Sequence, residues 1–244
     1  MSQESATNVS GSLQRLHRRI EEKAKDRTAR PIVIVAIGDS VTQGVAEVDH
    51  LLHNDVYHAQ LKKLLEKQYP LTTFSVINSG VDGDTATAAA ARFSRDAIAY
   101  QPDLLLIGFA LNDSVAGFEG LKQYTESINT LINRTRSETE ADLVILTPNM
   151  MLTRENDAIP EKYAEYTELM LNIQNQGILA SYVDRLREVA KEQSVPVADV
   201  YEKWATLASQ GTNTTAMLSN GLNHPDPAGH ALAAETIFNV IQTA

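Results

Sequence analysis

The sequence contains no cysteine, and this absence excludes several kinds of chemistry at once. A chain without thiols forms no disulfide bonds, has no cysteine nucleophile and cannot bind zinc through cysteine. Such a composition is compatible with any compartment but suits the reducing cytosol best. We therefore expect a cytoplasmic protein.

Basic residues and long apolar segments are also scarce. The chain has 21 Lys and Arg against 31 Asp and Glu, for a formal net charge of −10. This charge repels nucleic acid and anionic membrane surfaces, so a small neutral molecule is the expected partner. The first strongly apolar run, Ile32 to Ile37, is too short to span a bilayer, and residues 1–30 lack the apolar core of a secretion signal. We expect no integral membrane association and no export.

The length and charge distribution predict one main domain with an N-terminal extension. Residues 31–244 are long enough for a single α/β domain with a sizeable core. Residues 1–30 are polar and basic, with seven Lys or Arg and four Asp or Glu. A short helix over 13–27 places Leu13, Leu16 and Ile20 on one face. This stripe is too thin for stable binding to a membrane surface, so we expect the helix to dock on the main domain.

Short apolar runs alternate with amphipathic stretches from residue 31 onward. This alternation is typical of a parallel sheet that is covered by helices on both faces. The predicted strands are 32–37, 74–78, 103–109, 142–147 and 195–200. The predicted helices are 56–69, 85–100, 118–136, 161–193 with a break near Gly177, and 227–242.

Polar turns follow the first three predicted strands. Ser40 follows the first strand, Gly80 the second and Asn112 the third, while His224 comes shortly before the last helix. Ligands of parallel α/β sheets bind at the carboxyl ends of the strands. We therefore expect these four residues to meet at one edge of the sheet.

These residue types match the needs of acyl transfer. A serine hydroxyl needs a base to become a nucleophile, and the tetrahedral intermediate needs donors aimed at its oxygen. Ser40 is the candidate nucleophile and His224 the candidate base. The N–H groups of Ser40 and Gly80 and the side chain of Asn112 are the candidate oxyanion hole.

The segments Gly38-Asp39-Ser40, Asn78-Ser79-Gly80, Asn112-Asp113 and His224-Pro225 resemble the four sequence blocks of the SGNH, or GDSL-type, hydrolases. They occur in the family order and cover the chain from residue 31 onward. The resemblance implies a flavodoxin-like three-layer α/β/α sandwich with a parallel sheet of about five strands. It also implies ester hydrolysis without a metal or cofactor.

Two positions depart from the family pattern. Ala110 occupies a position that is usually glycine, and we expect a modest effect from one methyl group. Gly221 occupies the usual position of the third triad member, an aspartate, so that member is unassigned. A backbone carbonyl or a carboxylate from elsewhere is expected to accept the Nδ1 proton of His224. Asp226 is expected to cap the final helix instead.

Other polar residues are expected to have structural roles. Asp39 and Asp113 are predicted to accept hydrogen bonds from nearby backbone, and Asp84 to cap the following helix. His50 and His53 have a spacing that zinc ligands can have, but no third ligand is evident, and we expect no metal site.

The sequence thus predicts a serine esterase that forms an acyl-enzyme. The resemblance implies an ester substrate in which a small acyl group, such as acetyl, is attached to a carbohydrate or similar polyol. Two alternatives stay open: an acyl hydrolase of the lysophospholipase or thioesterase type, and a non-catalytic ligand-binding protein with the same fold. The sequence is compatible with a homo-oligomer and does not identify the natural substrate.

Overall fold

The chain folds around a five-stranded parallel sheet, which confirms the predicted α/β class. The computed structural model describes residues 13–47, 50–156 and 159–244. The strand order is β2-β1-β3-β4-β5, the flavodoxin-like order. The strands are β1 (Ile32–Gly38), β2 (Phe74–Gly80), β3 (Leu104–Gly108), β4 (Asp142–Leu146) and β5 (Val197–Ala198).

Helices connect the strands, and most of them lie where the sequence pattern predicts. The 161–193 stretch is broken at Gly177, whose φ is 75°, as expected. The α-helices of the described residues are α1 (Gln14–Lys25), α2 (Ser40–Gln43), α3 (Tyr57–Gln68), α4 (Ala86–Asp96), α5 (Leu121–Glu138), α6 (Thr167–Asn175), α7 (Ile178–Glu192), α8 (Val200–Ser209) and α9 (Pro227–Thr243).

One element differs from its prediction. The fifth strand was expected over 195–200 but contains only two residues, and α8 begins directly after it. Asp199 caps this helix by accepting a hydrogen bond from the Glu202 N–H at 3.1 Å. The apolar run that resembled one longer strand is therefore divided between a short strand and the first turn of a helix.

The register of the sheet places the strand ends level with one another. Gly38 at the end of β1 lies opposite Gly80 of β2 on one side and Gly108 of β3 on the other. All residues of β1 are buried, as expected for the central strand of a sheet covered on both faces. The turns that follow β1, β2 and β3 therefore share one edge.

The N-terminal helix α1 packs onto the sheet domain, as predicted for a docking helix. Leu13, Leu16 and Ile20 are buried in the hydrophobic core. Arg15 and Arg19 each donate to Asp103 at 3.1 Å. No helix in the described parts of the chain is long and apolar enough to cross a membrane.

Candidate active site

Ser40 lies on a sharp turn between the central strand and a one-turn helix. β1 ends at Gly38, and Ser40 is already the first residue of α2. Asp39 caps α2 by accepting a hydrogen bond from the Val41 N–H at 2.9 Å, as predicted for its bracing role. The N–H of Ser40 has no intrahelical acceptor because it begins the helix. The turn thus fixes both the hydroxyl and the N–H of Ser40.

The carboxyl group of Asp39 is deeply buried behind Ser40. Burial raises its pKa to about 7, the nearby carboxyl of Asp113 adds to this effect, and the hydrogen bond from Val41 opposes it. A proton on this carboxyl still leaves the accepting oxygen available to Val41. Its contribution is therefore to hold the turn in either protonation state.

His224 forms a hydrogen-bonded pair with Ser40. Its Nε2 lies 2.9 Å from the Ser40 Oγ, and its Nδ1 lies 3.2 Å from the carbonyl oxygen of Ala46. A carbonyl can only accept a hydrogen bond, so the Nδ1 must carry the proton. The Nε2 is then an acceptor for the Ser40 O–H, which is the tautomer a general base needs. Burial lowers the pKa of His224, against the opposing bond to Ala46, so the ring is neutral at pH 7.

The orienting group of His224 is thus a backbone carbonyl, one of the two possibilities the sequence left open. Ala46 is itself held in place because its N–H donates to the His50 carbonyl at 3.0 Å. A carbonyl fixes the tautomer as an aspartate does. It carries no net charge, however, and it stabilises the imidazolium less than a carboxylate.

Asn220 shapes the loop that presents His224, a role that the sequence did not reveal. Its Oδ1 accepts hydrogen bonds from the N–H groups of Leu222, Asn223 and His224, each at 3.0 Å. Its Nδ2 donates to the Asn223 Oδ1 at 2.9 Å. The buried Asn220 side chain therefore fixes the backbone conformation of residues 220–224.

Gly221 occupies a position that an aspartate cannot adopt without strain. Its φ is 73°, and a Cβ at this position would lie 2.7 Å from the Asn156 Nδ2. The left-handed conformation favours glycine, and a side chain here would also have to displace the Asn156 amide, so an aspartate at this position is strained.

Replacing Gly221 by the aspartate of the family pattern is therefore not expected to improve catalysis. We predict that Gly221→Asp lowers the midpoint of thermal unfolding and does not raise kcat/KM on p-nitrophenyl acetate. The substitution strains the loop that carries His224, whose Nδ1 already has an acceptor. Thermal melts and initial rates of both proteins test this, and a faster Gly221→Asp variant would contradict it.

The candidate oxyanion donors lie at the end of β2 and after β3. The Asn112 Nδ2 donates to the Asp84 carbonyl at 2.9 Å, which leaves its second amide hydrogen for a ligand. The Gly80 N–H donates to the Asn78 Oδ1 at 2.9 Å. A substrate oxyanion must therefore share this N–H with the Asn78 side chain or displace that side chain.

Glycine at position 80 is required by its packing against α2. A Cβ here would overlap the backbone of Thr42 and Gln43 in α2. The missing side chain thus lets the nucleophile turn pack directly against the end of β2.

Ala110 has a backbone conformation that the sequence did not reveal. Its φ is 141°, a conformation that favours glycine, and the residue is fully buried. Glycine adopts this conformation without strain, whereas alanine does not, and a modest effect of the methyl group on the position of Asn112 stays a prediction. The alanine is fully buried, so the packing around it holds this conformation.

The remaining polar residues have mainly structural roles. Asp113 accepts a hydrogen bond from the N–H of Ala86, the first residue of α4, at 3.0 Å, and it also accepts from its own local backbone, as predicted. The prediction that Asp84 caps α4 is wrong: Thr85 is the cap, and Asp84 pairs with Arg92 at 2.6 Å. Among the described residues, no three His, Cys, Asp or Glu side chains form a metal-binding group. Asp49, which precedes His50 in the sequence, lies outside the described residues.

A buried serine paired with a histidine, at the carboxyl edge of a parallel α/β sheet, defines a site of the serine-hydrolase type. The sequence profile of the GDSL-like lipase/acylhydrolase family matches residues 36–232. The chain belongs to this family and is a carboxylic-ester hydrolase.

Several characterised proteins resemble the chain at low identity. The acetylxylan esterase of Geobacillus stearothermophilus is 22% identical over 194 residues, which cover 76% of this chain and 80% of that protein. The crystal structure of Axe2, an acetylxylan esterase from the same organism, aligns with a TM-score of 0.67 at 21% identity, covering 86% of this chain and 94% of Axe2. The lipase/acylhydrolase from Enterococcus faecalis aligns with a TM-score of 0.67 at 22% identity, covering 86% and 95%.

Proposed function

We propose that the protein hydrolyses small acyl esters through an acyl-enzyme on Ser40, with His224 as general base and acid. The observation that carries this proposal is the 2.9 Å contact between the Ser40 Oγ and the His224 Nε2, with the Nδ1 held by the Ala46 carbonyl. Two Axe2 variants that are described as catalytic mutants replace a serine and a histidine by alanine, which supports the same assignment.

The proposed reaction has two steps, acylation of Ser40 and deacylation by water. The Ser40 Oγ attacks the ester carbonyl while the His224 Nε2 takes the hydroxyl proton, and the carbonyl oxygen becomes an oxyanion. The N–H groups of Ser40 and Gly80 and the Asn112 amide stabilise this charge. His224 then protonates the leaving alcohol. In deacylation the His224 Nε2 takes a proton from water as the water oxygen attacks the acyl carbonyl. His224 then returns a proton to the Ser40 Oγ, which leaves as the acid is released.

We propose an acetylated carbohydrate or similar polyol as the substrate. The support is the similarity to a protein named acetylxylan esterase. A longer-chain acyl hydrolase is the second candidate, because apolar side chains are exposed on the segments that carry the oxyanion donors. Val81 follows Gly80 and is 40% exposed, while Val115 and Phe118 follow Asn112 and are 48% and 55% exposed. Such side chains can cover an acyl chain.

A series of esters distinguishes these substrates. Initial rates are measured on p-nitrophenyl acetate, butyrate and decanoate and on acetylated xylo-oligosaccharides, with Ser40→Ala as the background. The proposal expects Ser40-dependent turnover that falls with acyl length and release of acetate from the sugar. A rate that rises toward decanoate, without acetate release, would favour the second candidate.

We also propose that the protein is cytoplasmic, which the absence of cysteine supports, and that it forms a homo-oligomer. Cell fractionation and light scattering of the purified protein test the two separately.

A further inference from the structure

Arg92 of α4 lies beside the strand ends that precede Ser40 and Gly80. Its side chain is only 12% exposed. The guanidinium donates to the Gly38 carbonyl at 3.0 Å and to the Ser79 carbonyl at 2.8 Å. Its Nε donates to the Asp84 Oδ2 at 2.7 Å. One planar cation thus contacts three segments around the candidate site.

The contact with Ser79 acts on the first oxyanion donor. The Ser79 carbonyl and the Gly80 N–H belong to the same planar peptide group and point in opposite directions. A charged donor on the carbonyl fixes the direction of the N–H and polarises the peptide, which makes the N–H a stronger donor. Arg92 therefore controls the Gly80 N–H from the side away from the substrate.

The contact with Asp84 acts on the second donor. The carboxylate of Asp84 binds Arg92, and its backbone carbonyl accepts the Asn112 Nδ2 at 2.9 Å. The position of this carbonyl decides where the second hydrogen of the Asn112 amide points. Arg92 thus reaches Asn112 through one intervening residue.

The contact with Gly38 connects these donors to the nucleophile turn. The Gly38 carbonyl also accepts the Val81 N–H at 3.1 Å, and the chain reaches Ser40 two residues later. Gly38 and Gly80 are register partners in the sheet. The same guanidinium therefore ties the segment of Ser40 to the segment of Gly80.

We propose that Arg92 is a positioning residue for the oxyanion hole, which it holds through the Ser79–Gly80 peptide and through Asp84. The inference rests on the proposed function and extends it, since Arg92 contacts none of the reacting atoms. It strengthens interactions that are formed only in the transition state, so its loss lowers kcat and leaves KM nearly unchanged.

Arg134 of α5 offers a matched control. Its guanidinium also binds α4, donating to the Ala90 carbonyl at 3.1 Å and to the Ser94 Oγ at 2.6 Å, and it lies 5.3 Å from the centre of the Phe93 ring. It pairs with Glu138 at 2.6 Å. Arg134 thus anchors the same helix as Arg92 without any of these contacts reaching the site.

The test compares full-length Arg92→Lys, Arg92→Ala and Arg134→Ala on p-nitrophenyl acetate, well below each unfolding midpoint. We expect kcat of Arg92→Lys to fall about 10- to 100-fold, less than the ~10²–10³ for outright loss of a donor, with KM within about twofold. Guanidinium chloride, at concentrations too low to unfold the protein, should partly restore Arg92→Ala. Arg134→Ala should keep kcat within about twofold of the parent.

Asp84→Asn provides an independent variant, because it breaks the ion pair with Arg92 and keeps the carbonyl that binds Asn112. It should lower kcat in the same direction as Arg92→Lys. If the parent shows Ser40-dependent turnover but Arg92→Lys and Arg134→Ala have equal kcat values, the inference about Arg92 is overturned and the proposed function is not. A parent without Ser40-dependent turnover would overturn the proposed function and the inference with it.

Discussion

Alanine at Ser40, at His224 or at both is expected to lower kcat by nearly the same factor, between about 10³ and about 10⁶. The two side chains act as one unit across the 2.9 Å hydrogen bond, so removing either disables nucleophilic attack. The smaller expected loss in kcat allows for a slow parent enzyme, because a backbone carbonyl and not a carboxylate orients His224. In a serine protease, replacing the orienting aspartate by asparagine costs about 10⁴ in kcat, so a dyad starts from a slower parent.

Initial rates on p-nitrophenyl acetate, corrected for spontaneous hydrolysis, measure this effect. Ser127→Ala is a suitable control, since Ser127 is a buried serine of α5 whose Oγ donates to the Gln123 carbonyl at 2.8 Å. It should leave kcat within about twofold of the parent. Losses from Ser40→Ala and His224→Ala that multiply in the double variant would contradict a single catalytic unit.

The second large effect is expected at Asn112, where alanine should lower kcat about 10²- to 10³-fold. The amide has one hydrogen on the Asp84 carbonyl and one available for the oxyanion. The charge on that oxygen appears in the transition state and not in the bound ester, so KM should change little. Steady-state kinetics that separate kcat from KM measure this difference.

Two variants sharpen the interpretation of Asn112. Asn112→Asp keeps the shape of the side chain but replaces the donor by an acceptor, and it should lose at least as much kcat as alanine. Asn129→Ala removes an amide of α5 that donates to the Thr125 carbonyl at 3.1 Å, and it should leave kcat nearly unchanged. A higher KM with unchanged kcat in Asn112→Ala would assign the residue to substrate binding instead.

The sequence predicted the sheet well, because its strands follow a local pattern. Buried parallel strands appear as continuous apolar runs, and level strand ends bring the turns after them to one edge. The same pattern predicts that Ser40, Gly80, Asn112 and His224 share this edge, and the 2.9 Å contact between Ser40 and His224 agrees with the prediction. The fifth strand was overestimated because an apolar run does not show where Asp199 begins a helix.

The supporting groups of the site were not visible in the sequence for a different reason. Ala46 acts through its backbone carbonyl, a group that every residue has. Asn220 and Arg92 act through hydrogen bonds to backbone atoms that only the folded loops bring within reach. Ala110 resembles a conservative change until its φ of 141° shows a conformation that favours glycine.

Covalent labelling with a fluorophosphonate, followed by intact mass and peptide mapping, tests the central claim most directly. We expect one adduct per chain on the peptide that contains Ser40, none on Ser40→Ala, and much slower labelling of His224→Ala. An adduct on another residue, or an active enzyme that acquires none, would contradict the assignment of Ser40 as the nucleophile.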